Sequence, residues 1–343
     1  MSDLEGLQIF WFMVIIVSVI GYSVLDGFDL GVGVLHWFAK GDTERRVFLN
    51  AIGPVWDGNE VWLVVLVGSL FAGFPGAYAT LLSSFYMPTT ILIAGLICRA
   101  VSIEFRSKQE SKVWRAIWDT LFTIGSLIIA FGAGVLIGNL VSGIPLNHEG
   151  DFVGDFWVFF HPYALLIGLT TVACFTMHGC IYLIMKTEGE LHDKIRNWAK
   201  PTILIFVCLY FLTTVMTLVL FPHMVQRMHE EPYLFLLPLM SLACILNVPR
   251  MLHKQYDGRA FAFSCLSIAL LIILFALGTY PNLVRSSILP ETNSVNITNA
   301  GASEMTLIVL AIVVCVGIPL VIGYGFLLYR VFKGKVKIGK MSY

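Results

Sequence analysis

Charge is scarce in this sequence. Asp, Glu, Lys and Arg make up 13% of the 343 residues, about half of what a soluble domain carries. There is no basic excess either, because 22 Lys+Arg face 22 Asp+Glu. The first shortage excludes an ordinary cytosolic or secreted enzyme and a disordered chain. The second excludes a nucleic-acid binder. Paired cysteines are also missing. The seven present, Cys98, Cys174, Cys180, Cys208, Cys244, Cys265 and Cys315, all fall in apolar runs without a Cys-x-x-Cys pair. They are expected to be free, small and hydrophobic, with no disulfide frame and no metal site. The opening Met1-Ser2-Asp3-Leu4-Glu5-Gly6 lacks the basic stretch of a secretory signal. The first apolar run is therefore expected to be a retained helix.

What is abundant is apolar surface. Hydrophobic residues reach 57% and the mean hydropathy is +0.82. With about 20 apolar residues per span, the expectation is a single all-α integral membrane domain over 1–343. Apolar runs lie near 7–38, 48–72, 77–104, 117–141, 157–185, 200–221, 232–249, 260–281 and 304–332, which predicts nine transmembrane helices. The connections alternate. Segments 40–46, 106–115, 186–200, 250–259 and 330–340 hold nineteen Lys/Arg, while the other segments hold only Arg227 and Arg285. That asymmetry places the basic segments in the cytoplasm, the N-terminus outside and the C-terminus inside. The outer Asn296-Ile297-Thr298 fits a glycosylation sequon, which means nothing in a bacterial cell.

Ionisable groups at membrane depth are costly, so each needs a reason. Asp26 and Asp29 lie in the first run, Asp57 and Glu60 in the second, and Arg99 in the third. Each acid pair is spaced i, i+3 and shares a helix face. At about 1.5 Å rise per residue, all five sit roughly 10–18 Å from the basic end. Fully ionised, four acids and one base would carry surplus negative charge in a low dielectric. Some of the carboxyls are therefore expected to hold a proton, and the cluster can relay protons or bind a cation such as Na⁺. A purely structural role, with Arg99 neutralising one acid, is the bland alternative.

Other features point less far. His161 and His178 lie 17 residues apart in the fifth run, and no two histidines face one another at one depth, as a haem held between helices requires. His178 is expected to be a hydrogen-bonded interface histidine, and the chain is expected to bind no haem itself. Trp56 and Trp62 flank the acids of the second run. Gly21, Gly27, Gly31, Gly33, Gly53 and Gly58 are expected to bring the first two helices close together. The glycines of residues 27–33 form no phosphate loop, because no Lys-Ser/Thr follows.

The polar segments are more specific. Residues 26–33 read DGFDLGVG, 43–46 TERR, 53–62 GPVWDGNEVW, 71–78 FAGFPGAY, 98–108 CRAVSIEFRSK and 187–196 TEGELHDKIR. Together they resemble subunit II of the cytochrome bd-type quinol oxidases. Order and spacing agree over the first 120 residues and the segment after the fifth run. Beyond residue 200 only the number and length of the spans agree.

The resemblance implies nine helices as two four-helix bundles, about 7–141 and 157–281, plus a peripheral helix at about 304–332. It implies a multi-pass protein of the bacterial cytoplasmic (inner) membrane, paired with a haem-bearing subunit I. That partner would hold two b-type haems, one haem d and the quinol site, and would reduce O₂ to water with protons from the cytoplasm. By position in the motifs, Asp26, Asp57 and Glu60 would form the proton path. Trp62 would mark the oxygen entrance, with Asp29, Arg99 and Trp56 as electrostatic or structural partners. No catalytic residue and no metal are implied in this chain. A bound quinone or lipid and a small accessory single-helix subunit are left open. Glu60 departs from members that carry Gln there, which adds an acid.

The main alternative is an ion-coupled secondary transporter that uses the same Asp/Glu/Arg cluster. No second copy of the acid motif supports the internal repeat such transporters show. The charge asymmetry yields a direct prediction. In a cysteine-free background, Glu149→Cys is labelled by an impermeant maleimide added outside intact spheroplasts and Gln255→Cys is not. The reverse pattern would invert the orientation.

Overall fold

Backbone polar groups in a bilayer must be satisfied within the chain, which restricts long apolar runs to helices. The computed structural model of the chain describes residues 3–337 and 339. Lys340, counted above among the basic residues, lies outside them, as do Met1 and Ser2. The helices are α1 (Asp3–His36), α2 (Gly41–Ile52), α3 (Trp56–Gly73), α4 (Pro75–Ser84), α5 (Tyr86–Phe105), α6 (Lys112–Ser142) and α7 (Pro162–Lys186). There follow α8 (Gly189–Leu220), α9 (Gln226–Glu230), α10 (Leu236–His253), α11 (Asp257–Thr279), α12 (Pro290–Asn293) and α13 (Glu304–Val331). Two short strands, β1 (Asn282–Val284) and β2 (Val295–Asn296), pair antiparallel at the end opposite the basic segments.

Among the described residues, eight helices are long and apolar enough to cross a membrane, or nine if α2 and α3 make one broken span. Three expectations change in detail. The second run is not one straight helix, because α2 and α3 meet at an angle of 49°. Pro54 cannot donate a helical hydrogen bond, so the chain breaks at Gly53-Pro54-Val55 and restarts at Trp56. The third run is likewise divided at Phe85, between α4 and α5. The segment 187–196 is not a loop. Gly189 takes the left-handed conformation (φ +65°) and the following residues form the first turns of α8.

The core is organised around α1, which packs against α3, α6, α7, α11 and α13. Its closest approach is to α7. A Cβ on Gly31 would stand 1.8 Å from the Phe175 carbonyl oxygen, and one on Gly179 would stand 2.6 Å from the Gly31 carbonyl carbon. Backbone meets backbone there, so both positions require glycine. The first-run glycines therefore serve more than the second span. Gly21 faces Trp62 of α3, but Gly27 and Gly31 face α7 and Gly33 faces Ser126 of α6. A continuous apolar cluster runs from Phe28 on α1 through Phe48, Met177 and Ile181 to Ile245 and Ile268. By contrast α13 lies on α1 and α3 with most of its surface exposed and Leu307 its one buried residue.

Polar ties close the ends. The Trp11 indole donates to the Leu307 carbonyl at 3.1 Å, joining α1 to α13. The Tyr182 hydroxyl donates to the Ala51 carbonyl at 2.9 Å, joining α7 to α2. At the basic end Lys194 pairs with Glu44 at 2.6 Å, so the TERR and TEGELHDKIR segments meet. Widening the tightest contact is expected to be costly. Gly31→Ala forces α1 from α7 and should destabilise by about 3 kcal/mol, the upper part of the overpacking range. The check is thermal unfolding of the purified protein, and an unchanged midpoint would contradict the close approach.

Candidate functional site

One helical turn separates Asp26 from Asp29 on α1, and the fold buries both completely, with 0% side-chain exposure. Arg99 of α5 is equally buried and grips Asp26 with both arms. Its Nη2 lies 2.5 Å from Oδ1 and its Nη1 2.9 Å from Oδ2. Such a bidentate fork is the strong form of the ion pair. The same guanidinium lies 3.9 Å from Asp29 Oδ2 and 3.4 Å from Glu60 Oε1 of α3. Gly125 makes room for it, since a Cβ there would press on the Gly95 carbonyl and the Arg99 amide. Three carboxylates thus converge on one cation. Fully ionised, they leave two uncompensated negative charges in a site with little water.

The fourth acid of the expected cluster does not join it. Asp57 is exposed and is not among the ion-pair partners of Arg99. The break before Trp56 puts Asp57 in the first turn of α3, where the helix dipole favours a carboxylate. The residue of that turn that points inward is Asn59. Its Nδ2 donates to Asp29 Oδ2 at 2.7 Å and to the Leu25 carbonyl at 3.1 Å. Its Oδ1 accepts from the Tyr329 hydroxyl of α13 at 2.8 Å. Glu60 keeps 22% side-chain exposure, so the Asp57–Glu60 edge of α3 forms the rim of the cluster. Asp29 Oδ1 has no hydrogen-bond partner among the described residues. A buried carboxyl oxygen in that position is satisfied by a proton or by water.

The two tryptophans separate. Trp62 is buried flat against Gly21, whose Cβ would meet the indole at 2.4 Å, in a cluster with Tyr22, Leu30 and Phe175. Trp56 is partly buried against the main core beside the helix break.

Sequence reasoning missed a second cluster at the basic end. Asp119 of α6 accepts from His36 Nε2 (2.6 Å), Arg45 Nη1 (2.8 Å) and Arg106 Nε (2.5 Å). Arg106 also reaches Asp42 at 2.9 Å, and Arg115 binds Asp42 at 3.0 Å. The signal was available, since Asp119 is an acid within the fourth apolar run. A cavity of about 130 Å³ lined by His36, Arg45 and Asp119 opens beside this network.

A haem held between helices needs imidazoles that are free to ligate iron. His178 Nε2 faces the Val24 carbonyl at 3.0 Å, so it carries the proton. Its Nδ1 then accepts from the Ser264 hydroxyl at 2.8 Å, and its ring stacks on Phe261 at 4.7 Å. His36 is committed to Asp119. The two fully buried imidazoles therefore do not face each other and do not fit a haem held by this chain. As expected, His178 is a hydrogen-bonded interface residue.

The chain matches the family model described as cytochrome bd terminal oxidase subunit II over residues 7–332. It is 32% identical to "Cytochrome bd-I ubiquinol oxidase subunit 2" of Escherichia coli K12, covering 98% of this chain and 97% of that one. It is also 32% identical to "Cytochrome bd ubiquinol oxidase subunit 2" of Bacillus subtilis 168, covering 97% and 98%. Its fold is similar to a chain in the structure of bd oxidase from Geobacillus thermodenitrificans. The TM-score is 0.80 at 18% identity, over 95% of this chain and 98% of that one.

The two clusters are expected to differ from ordinary surface ion pairs in weight. Arg99→Gln leaves three carboxylates without a cation, and Asp119→Asn leaves two arginines short of their acid. Each should cost about 3–5 kcal/mol, as removal of one partner from a buried pair does. The expected readout is a clearly lowered thermal midpoint and yield for both variants. A midpoint within error of the parent would show that the pairs are dispensable.

Proposed function

This chain belongs to the cytochrome bd terminal oxidase subunit II family, and we propose that its Asp26–Asp29–Glu60–Arg99 cluster carries protons toward the oxygen-reducing centre of the complex. As subunit II it is a multi-pass membrane component of an oxidoreductase complex, and family membership displaces the transporter reading. The observation that carries the proton reading is the full burial of Arg99 among three carboxylates. Asp26 and Arg99 form a neutral pair. The remaining carboxyls, Asp29 and Glu60, release surplus charge by taking up protons, and a group that binds a proton for this reason also passes it on.

The path runs from the basic end, which the charge asymmetry assigns to the cytoplasm; the membrane, by the family resemblance, is a bacterial inner membrane. Asp57, exposed at the rim, collects protons. Glu60, partly exposed, passes them to the Arg99 centre, where Asp29, held by Asn59, is the fully buried acceptor. Trp62, packed in apolar surroundings beside α1, lines the oxygen route. Trp56 steadies the break from which α3 departs.

The partner is the haem-bearing subunit I, which would hold the two b-type haems and the haem d and oxidise the quinol. Haem there supplies electron transfer and oxygen reduction. This chain's residues exclude water, hold Arg99 in place and hold protons at Asp29 and Glu60. The first bundle spans about 7–141 and the second about 157–281, with α13 peripheral. A small single-helix subunit, and a quinone or lipid against this chain, stay open in this reading.

The test uses the intact oxidase in liposomes. Asp29→Asn and Glu60→Gln should each slow quinol oxidation and proton uptake about tenfold or more, with haem absorbance retained. Asp57→Asn should slow them by a smaller factor, because Asp57 stands outside the ion pairs of the Arg99 centre. Unchanged turnover and uptake in Asp29→Asn and Glu60→Gln would reduce the cluster to a structural role.

A further inference from the structure

The segments at the end opposite the basic loops contain only two Lys/Arg, Arg227 and Arg285. They come from separate segments, one in α9 and one after β1, yet both line the same cavity of about 270 Å³. His223 lines it as well. Among the described residues neither guanidinium has a carboxylate within 4.0 Å. Arg227 is stacked over the Tyr280 ring at 4.2 Å, which orients the guanidinium but does not neutralise it. The one acid of the lining, Glu230, accepts from Gln226 at 3.1 Å. His223 Nε2 is used by the Val141 carbonyl at 3.1 Å.

The site therefore gathers two guanidiniums and one carboxylate, Glu230, in a half-enclosed space, an excess of one positive charge, with neither guanidinium ion-paired among the described residues. Burial holds Arg285 below the ordinary guanidinium range. Burial, reinforced by the Arg285 charge, pushes His223 down as well. Unpaired guanidiniums converging on one cavity offer their donors to an anion. Two planar forks suit an anion with several acceptor oxygens on one centre, as phosphate has. The setting also favours one source. Val219 and Leu220 at the end of α8, and Tyr233 and Leu236 just beyond α9, are exposed apolar or aromatic side chains flanking this region. They mark the level at which acyl chains end and headgroups begin.

We propose that this cavity binds a phosphate-type oxyanion between Arg227 and Arg285, supplied by the headgroup of a membrane phospholipid. The arginines grip the phosphate oxygens, the Tyr280 ring fixes the approach of Arg227, and the acyl chains run along the exposed flank of α8. The site is independent of the proton path, which uses other helices at the other end.

The experiment uses the intact oxidase complex extracted in mild detergent. Native mass spectrometry counts the phospholipids retained by the parent, by R227Q/R285Q, and by K254Q as a control for loss of an exposed cation at the basic end. The expected result is at least one phospholipid retained by the parent and by K254Q but lost from R227Q/R285Q. In a second arm, inorganic phosphate is compared with chloride at matched ionic strength on the delipidated complex. A phosphate-specific rise in thermal midpoint, present in the parent and absent in R227Q/R285Q, supports the same oxyanion site. If it occurs without any difference in retained lipid, it makes free phosphate the source. Equal lipid retention with no phosphate-specific shift overturns the proposal. So does loss of another protein subunit from R227Q/R285Q with lipid and phosphate responses unchanged, which would make the cavity a protein contact. Should the double variant fail to assemble, the single R285Q variant and the parent titration decide by the same criteria.

Discussion

The fork between Arg99 and Asp26 is the constraint on which this architecture rests. A guanidinium with no exposure inside an apolar bundle is tolerated only with its charge matched and its donors used. Asp26 satisfies both arms, and so fixes α5 against α1 in position and rotation. Gly125 and Gly95 then have to be small, because α6 closes over the same stretch of α5. Glu60 and Asn59 are brought in by α3, and Tyr329 by α13. Four helices from distant parts of the chain are thus registered by one cation. The resulting site has more negative than positive groups, and that imbalance gives it chemistry as well as structure.

The Asp119 network at the basic end follows a different logic. There the cations outnumber the acids, with Arg45, Arg106 and Arg115 shared between Asp119 and Asp42. It ties the ends of α1, α5 and α6 to α2, at the level where helices leave the apolar layer. Both networks lie on α1. Asp29 and His36 are seven residues apart, about 10 Å along the helix. One helix therefore carries an acid-rich centre at depth and a base-rich collar at its end.

Much of this was legible in the sequence, for physical reasons. Apolar runs of span length admit few structures other than helices, and the Lys/Arg asymmetry is large. Asp26, Asp29, Glu60 and Arg99 stood out because charge at membrane depth demands a partner. The breaks were less visible. Gly53-Pro54 lies inside an apolar stretch, and hydropathy alone does not register the 49° bend that turns Asp57 to the surface and Asn59 inward. Asn59 and Tyr329 were missed because a neutral amide and a phenol carry little cost that sequence can flag. Asp119 was missed because it sits two residues inside its run, where it reads as belonging to the adjoining loop. The glycines were recognised, but a one-dimensional pattern does not say which neighbour each one faces. Gly31 faces α7, a helix more than a hundred residues away.

The tie between Tyr329 and Asn59 joins residues 270 positions apart, and that between Trp11 and Leu307 joins residues 296 apart. Both depend on α13, which follows the other helices in the chain. Until α13 is inserted, the amide that holds Asp29 lacks its phenol and the indole of α1 lacks its carbonyl. Completion of the acidic centre is thereby coupled to the synthesis of α13, so a nascent chain exposes an unfinished centre until that helix arrives.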